Sequence, residues 1–261
     1  MIWTKTYFSK NIIGILCISI LLSACNKVES LTFQTSKITT DSLFPEECRD
    51  IDCANIEINL IEAIENSALA EAVNSEIEKV ITADLTMSQE TAESTIQKAA
   101  IDFNDVFKKN IEEFPDETHL YEAIFNTSVS LQNDYLISIL VNKYTYTGGA
   151  HGNSYSTYLN ISKKNGKLIP TDQLFADKQL FLKVAESVFR KSQKIPSDAP
   201  INSTGFFFEN DVFSLPENIG FTDQEVILYY NTYEVNSYAN GPIEVKINRE
   251  EIDTALSSEV L

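Results

Sequence analysis

The chain has few of the residues needed to hold a metal or to meet a polyanion. Histidine occurs twice, at His119 and His151, and the two lie far apart, so a zinc site has too few ligands and neither a metal nor a cofactor is expected. Basic residues are scarce, with 20 Lys and Arg against 38 Asp and Glu, which gives a formal charge of −18. Such a surface repels nucleic acid and anionic headgroups and favours encounter with a basic protein. Phosphate-binding and hydrolytic patterns are missing too. There is no Walker A loop, Gly152-Asn153-Ser154-Tyr155-Ser156 lacks the final glycine of a nucleophile elbow, and Asp50-Ile51-Asp52 lacks the rest of a calcium loop. With 38 acids, carboxylate pairs arise by chance and identify no catalytic residue.

Long apolar runs are absent as well. The run Ile12 to Leu22 is too short for a bilayer core of about 30 Å, and with Lys5 and Lys10 ahead of it, it reads as the core of a signal peptide. It closes on Leu22-Ser23-Ala24-Cys25, where two small side chains suit a signal peptidase and Cys25 offers a thiol for a diacylglyceryl thioether. Residues 1–24 are therefore expected to be a lipoprotein signal peptide and Cys25 a palmitate-bearing membrane anchor, against the simpler reading of a plain secretory signal. Asn26 is not the Asp that retains lipoproteins at the inner membrane of enterobacteria, so the expected location is the cell envelope, at the outer membrane where the organism has one. Cleavage before Cys25 leaves 261 − 24 = 237 residues and, without Lys5 and Lys10, a charge of 18 − 38 = −20.

Cysteine is also rare. Cys17 leaves with the signal and Cys25 takes lipid, so Cys48 and Cys53 remain as the thiols of the folded protein. In an oxidising periplasm a C-x4-C pair with no companion ligands reads as a disulfide, worth about 2 kcal/mol on the chain-entropy account.

Residues 25–45 are rich in Ser, Thr and Lys and are expected to form a flexible tether with a reach of roughly 25 Å, although Leu31-Thr32-Phe33 also suits an edge strand. Beyond them, Ile56, Ile58 and Leu60 alternate as in a strand, and Leu69, Val73, Ile77 and Val80 follow helical spacing behind Asn66 or Ser67 as cap. A second helix is expected from about Ser88 to Asn110, with Thr86 to Gln89 as capping box and Phe103 and Phe107 in the core. Strands over Ala123 to Leu131, Tyr135 to Tyr146 and Tyr155 to Ile161 suggest an antiparallel meander. A helix from Asp177 to Lys194 should bury Leu180, Val184 and Val188, and strands Glu225 to Tyr230 and Pro242 to Ile247 precede a short helix. Helices and strands in separate runs argue for an α+β fold, an antiparallel sheet with packed helices divided into two small subdomains, 46–170 and 171–261.

Two segments suggest a binding surface. Tyr144 to Gly152 carries Tyr146, Gly148, Gly149 and His151, with three glycines leaving the backbone bare between aromatic strands; a buried hairpin would use the same residues. Tyr229 to Pro242 carries Tyr233, Glu234 and Tyr238, whose rings offer flat amphipathic surface to a core edge or to a partner.

At these segments the chain resembles a family of envelope proteins that pairs two domains of unknown function, seen in the ectodomain of the anti-sigma factor RsiV and the N-terminal extension of the peptidoglycan deacetylase PdaC. The resemblance runs from about Cys53 to Leu261. It rests on Ala54-Asn55-Ile56-Glu57-Ile58, Tyr146-Thr147-Gly148-Gly149-Ala150-His151-Gly152, Phe213-Ser214-Leu215-Pro216, Tyr230-Asn231-Thr232-Tyr233-Glu234-Val235 and Tyr238-Ala239-Asn240-Gly241. It implies an α+β ectodomain and, by the RsiV case, a surface for lysozyme. It implies no catalytic residue in these domains. Eleven residues precede the apolar run, so no sigma-binding segment is expected, and a lipid replaces the span. The H-x-x-x-H pair of the deacetylase is missing, since Tyr155 stands four residues after His151 and Ala123 four after His119. The expected function is that of a lipid-anchored, non-catalytic envelope protein recognising a lysozyme-like protein or a peptidoglycan-related ligand. The alternative is an envelope hydrolase with His151 as general base.

Overall fold

Alternating burial of Ile56, Ile58 and Leu60 makes Asn55–Ala63 (β2) a strand with one face against a core. A computed structural model of the chain describes residues 29–48, 53–88, 95–116 and 119–261; the expected signal peptide, Cys25 and Gln89 lie outside them. After β2, Ser67 caps helix α2 (Ala68–Leu85) by accepting from the Ala70 N–H at 3.2 Å, and Leu69, Val73, Ile77 and Ile81 face inward. Helix α3 (Ile96–Glu113) is capped by Thr95 and buries Ala99, Phe103 and Phe107. It starts later than the sequence suggested. Thr86 does not open it but closes α2, donating its N–H to the Thr82 carbonyl, and the next two N–H groups, of Met87 and Ser88, donate to the Asp102 carboxylate.

Three long strands follow, β3 (Glu122–Gln132), β4 (Leu136–Tyr146) and β5 (Asn153–Ser162). The turn between the first two is held by Asn133, whose Oδ1 accepts from the N–H groups of Tyr135 and Leu136 at 2.8 Å each. With an edge strand β1 (Phe33–Thr39) ahead of β2, the sheet order is β1-β2-β3-β4-β5, antiparallel except between β2 and β3, which run parallel. The expected antiparallel meander is β3-β4-β5, and the sheet gains one parallel pair because the chain leaves β2, crosses through α2 and α3, and re-enters at β3 in the same direction.

Much of the segment expected to be a tether is folded. Phe33–Thr39 forms the edge strand β1, in register with β2 from Phe33 opposite Ala63 to Thr39 opposite Glu57, and Thr40–Leu43 forms a helical turn, α1. Its Ser, Thr and Lys residues suit an edge with a wetted face. Gln132 anchors the entry, its side-chain amide accepting from the Leu31 N–H at 2.8 Å and donating to the Leu31 carbonyl at 3.0 Å. A disulfide joins Cys48 to Cys53 ahead of β2, with the Cα atoms 5.7 Å apart.

The second sheet is antiparallel, β6 (Asn218–Phe221), β7 (Glu225–Tyr230) and β8 (Ile243–Asn248), with α5 (Arg249–Ile252) after it. Helix α4 (Lys178–Ser192) packs on it through Phe181, Ala185 and Phe189. The buried face is one residue on from the expected one, and Leu180 is exposed. The cause is an aromatic cluster, for Phe189 meets Phe206, Phe208, Phe213 and Tyr230 at ring-centroid distances of 5.2 to 5.5 Å.

The two sheets meet along β5, whose outer edge bonds to side-chain amides. Asn231, almost fully buried, accepts from the Ser156 N–H at 2.8 Å and donates to the Ser156 carbonyl at 3.0 Å, and the Asn160 amide donates to the Ile219 carbonyl at 2.7 Å. Side-chain amides thereby satisfy backbone groups that would otherwise be buried and unpaired.

Candidate functional site: an aromatic surface at the end of the seam

Strands β4 and β5 hold the glycine loop between them. Gly148 and Gly149 have φ of +95° and +93°, and a Cβ on either would meet nothing within 4 Å, so backbone conformation and not crowding requires glycine there. Gly152 is crowded instead, since a Cβ there would lie 2.3 Å from the Tyr144 ring and push it aside. The Tyr146 hydroxyl donates to the Gly149 carbonyl at 3.0 Å and ties the loop to its own strand.

Onto this loop folds the segment after β7. The His151 ring stacks on Tyr238 with centroids 3.8 Å apart and planes 20° apart, and Tyr233 lies 5.6 Å beyond. The Gly152 carbonyl fastens the stack, accepting from the Tyr238 hydroxyl at 3.3 Å and lying 3.0 Å from His151 Nδ1. A carbonyl only accepts, so in this contact the imidazole donates through Nδ1. Tyr233 is 56% exposed and sits at φ +72°, a costly conformation for a tyrosine that holds its ring outward. His119, which no sequence feature singled out, adds a ring 6.3 Å from Tyr146.

Six of the seven expected residues therefore share one surface: Tyr146, Gly148, Gly149, His151, Tyr233 and Tyr238. Glu234 takes another part. Its carboxylate accepts from the Asn231 N–H at 2.8 Å and the Glu217 N–H at 3.1 Å, clipping the loop before β6 to the turn after β7, and burial pushes its pKa up. Asn231 was missed as a joint of the structure. It stands inside the tyrosine-rich motif, but composition does not distinguish a buried asparagine from a turn residue.

The arrangement can bind through ring faces and loop backbone groups. A hydrolytic base would call for a carboxylate orienting His151, whereas its hydrogen-bond partner here is a main-chain carbonyl. Among the described residues, no group of three or more His, Cys, Asp and Glu is placed to hold a metal ion, and no helix is long and apolar enough to cross a membrane.

This architecture, a mixed five-stranded sheet with helices packed beside a three-stranded sheet, places the protein in the α+β class. Two segments of the chain match family models: residues 47–154 match the family described as Deacetylase PdaC, and residues 172–250 match a protein family of unknown function, DUF3298. Among solved structures, a DUF3298 family member from Bacteroides fragilis NCTC 9343 superposes with a TM-score of 0.65 at 20% identity, over 89% of this chain and 96% of that one. Another from Pseudomonas aeruginosa PAO1 gives 0.62 at 17% identity, over 90% and 98%. At these identities the likeness is one of fold. No curated protein matches the chain.

Proposed function

We propose that the protein is a non-catalytic binding protein of the cell envelope, anchored by lipid on Cys25, that recognises a peptidoglycan-related ligand on the Tyr146–His151–Tyr233–Tyr238 surface. The observation that carries this reading is the stack of His151 on Tyr238, fastened through the Gly152 carbonyl. Pre-stacked rings held outward by a strained backbone lose little freedom on binding, which favours recognition of flat or ring-shaped groups. A hydrolase would leave the imidazole free to turn toward a substrate, and here its Nδ1 and one ring face are occupied.

Charge favours a second reading. At −20 the mature chain attracts strongly basic proteins, a lysozyme-like one among them, and such steering fades with salt as the screening length falls from about 10 Å at 0.1 M to about 3 Å at 1 M.

The two readings separate in one experiment. Full-length protein is sedimented with purified peptidoglycan and, in parallel, titrated calorimetrically with lysozyme and with cytochrome c as a basic control. Sedimentation with peptidoglycan that survives 1 M salt, roughly three times the charge screening of 0.1 M, supports the first reading. Affinity for lysozyme well above that for cytochrome c supports the second. Equal affinity for both proteins, with no sedimentation, removes both.

A further inference from the structure

Where the two sheets meet, a cleft of about 380 Å³ opens beside the aromatic surface. Tyr155, Tyr158, Asn160, Leu168, Thr171 and Glu217 line it. Its floor is built for a ring. Tyr158 lies directly on Gly220, where a Cβ would stand 2.2 Å from its ring, so a side chain there would displace the ring. The polar groups are unevenly satisfied. Asn160 is 6% exposed and spends its amide N–H on the Ile219 carbonyl, while its Oδ1, fully buried, has no hydrogen-bond partner among the described residues. An orphaned buried acceptor is costly and native structures rarely keep one without a use. The cleft is tied to the tyrosine segment, because Glu217 in its lining donates its N–H to the carboxylate of Glu234, next in sequence to Tyr233.

The missing partner of Asn160 is a donor. Lys143, which stands over the Tyr155 ring at 4.8 Å, is ion-paired with Asp84 and adds no free charge to the cleft. A group that offers O–H or N–H donors around a ring with apolar faces, in a cleft of this size at a junction of two sheets, is a neutral sugar. We infer that the cleft beside Asn160 is a subsite for a neutral sugar ring, so that the ligand of the tyrosine surface is a glycan strand lying along the seam. This rests on the binding reading above and names its ligand class.

The test is a titration of full-length, isotopically labelled protein with N,N′,N″-triacetylchitotriose and with cellotriose, followed through side-chain amide resonances. The Asn160 resonance is identified by its loss in Asn160→Leu. It should shift saturably, with a Kd in the millimolar range, and Tyr155→Leu should weaken binding about tenfold at unchanged Tm, as loss of one ring contact implies. A response to both sugars supports a subsite that reads hydroxyls alone, and a response to the acetylated one supports a subsite that reads the acetamide too. No shift at Asn160 with either sugar overturns the subsite. If peptidoglycan still sediments with the protein in that case, the binding surface stands without it. If sedimentation fails as well, both fall.

Discussion

The two buried regions of this protein are filled by different side chains. Around β2, α2 and α3 the interior is largely aliphatic, Ile56, Ile58, Val73, Ile77 and Ile81 meeting across a helix–sheet layer. Around α4 it is aromatic, with Phe175 stacked on Phe181 at 3.8 Å and Phe189 at the centre of four other rings. The backbone explains the difference. The first region has long helices and strands whose repeats bring medium-sized side chains together, whereas the second has a four-residue strand and several single 3₁₀ turns, and large rings fill the space that irregular backbone leaves. Tyr233 and Tyr238 project from the irregular region onto a loop of the regular one, so the proposed site depends on both.

The largest test of that contrast is truncation at each centre. Phe189→Ala should cost about 3–5 kcal/mol, and Ile77→Val only about 0.5–1.5 kcal/mol, both read by urea denaturation. Equal costs would mean that the second region does not hang on its ring cluster. Next comes the joint. Asn231→Leu leaves the Ser156 N–H and carbonyl without their partner and should cost about 1–3 kcal/mol, with the calorimetric transition broadening as the regions uncouple. A single sharp transition at unchanged Tm would show that the amide bonds do not couple them.

The disulfide should matter somewhat less. Reduction, or Cys48→Ser, is expected to lower stability by about 2 kcal/mol, and mass spectrometry of unreduced peptide spanning Arg49 should show two hydrogens fewer than the dithiol. The smallest effects are electrostatic and have opposite signs in the two regions. For Asp102 burial alone would raise the pKa, but the Ser88 and Met87 amides outweigh it and hold the pKa below the ordinary carboxylate value. Its contribution is present above the unfolded pKa and is lost as pH falls through the folded one. The pKa of Glu234 is raised by burial, so the native state holds its proton longer and stability falls as pH rises from the unfolded value through the folded one. Asp102→Asn should therefore flatten the acid limb of a stability–pH curve, and Glu234→Gln should remove the decline on the other side.

The regular region was the more legible in sequence. Period-two burial in β2 and the four-residue spacing of Leu69, Val73 and Ile77 are local signals, and Ser67 capped its helix as the side-chain chemistry suggests. What escaped depends on distant partners. Phe33–Thr39 reads as a polar linker until β2 supplies its hydrogen bonds, and β2 and β3 run parallel only because two helices lie between them. Helix α4 turned by one residue because Phe181 stacks on Phe175 and Phe189 finds rings contributed by residues 206–230. At the site, the glycine loop and the tyrosine segment were separately visible. Their junction was not, since the stack of His151 on Tyr238 joins residues more than eighty positions apart.

That junction is the account's central claim, and sedimentation of full-length protein with purified peptidoglycan, wild type beside Tyr238→Ala, tests it most directly. Tyr238 is partly exposed and its loss takes away the His151 stack and the hydroxyl bond to Gly152 without opening either core. The account predicts that the wild type sediments and that Tyr238→Ala stays in solution at unchanged Tm. Equal sedimentation of the two proteins would contradict it.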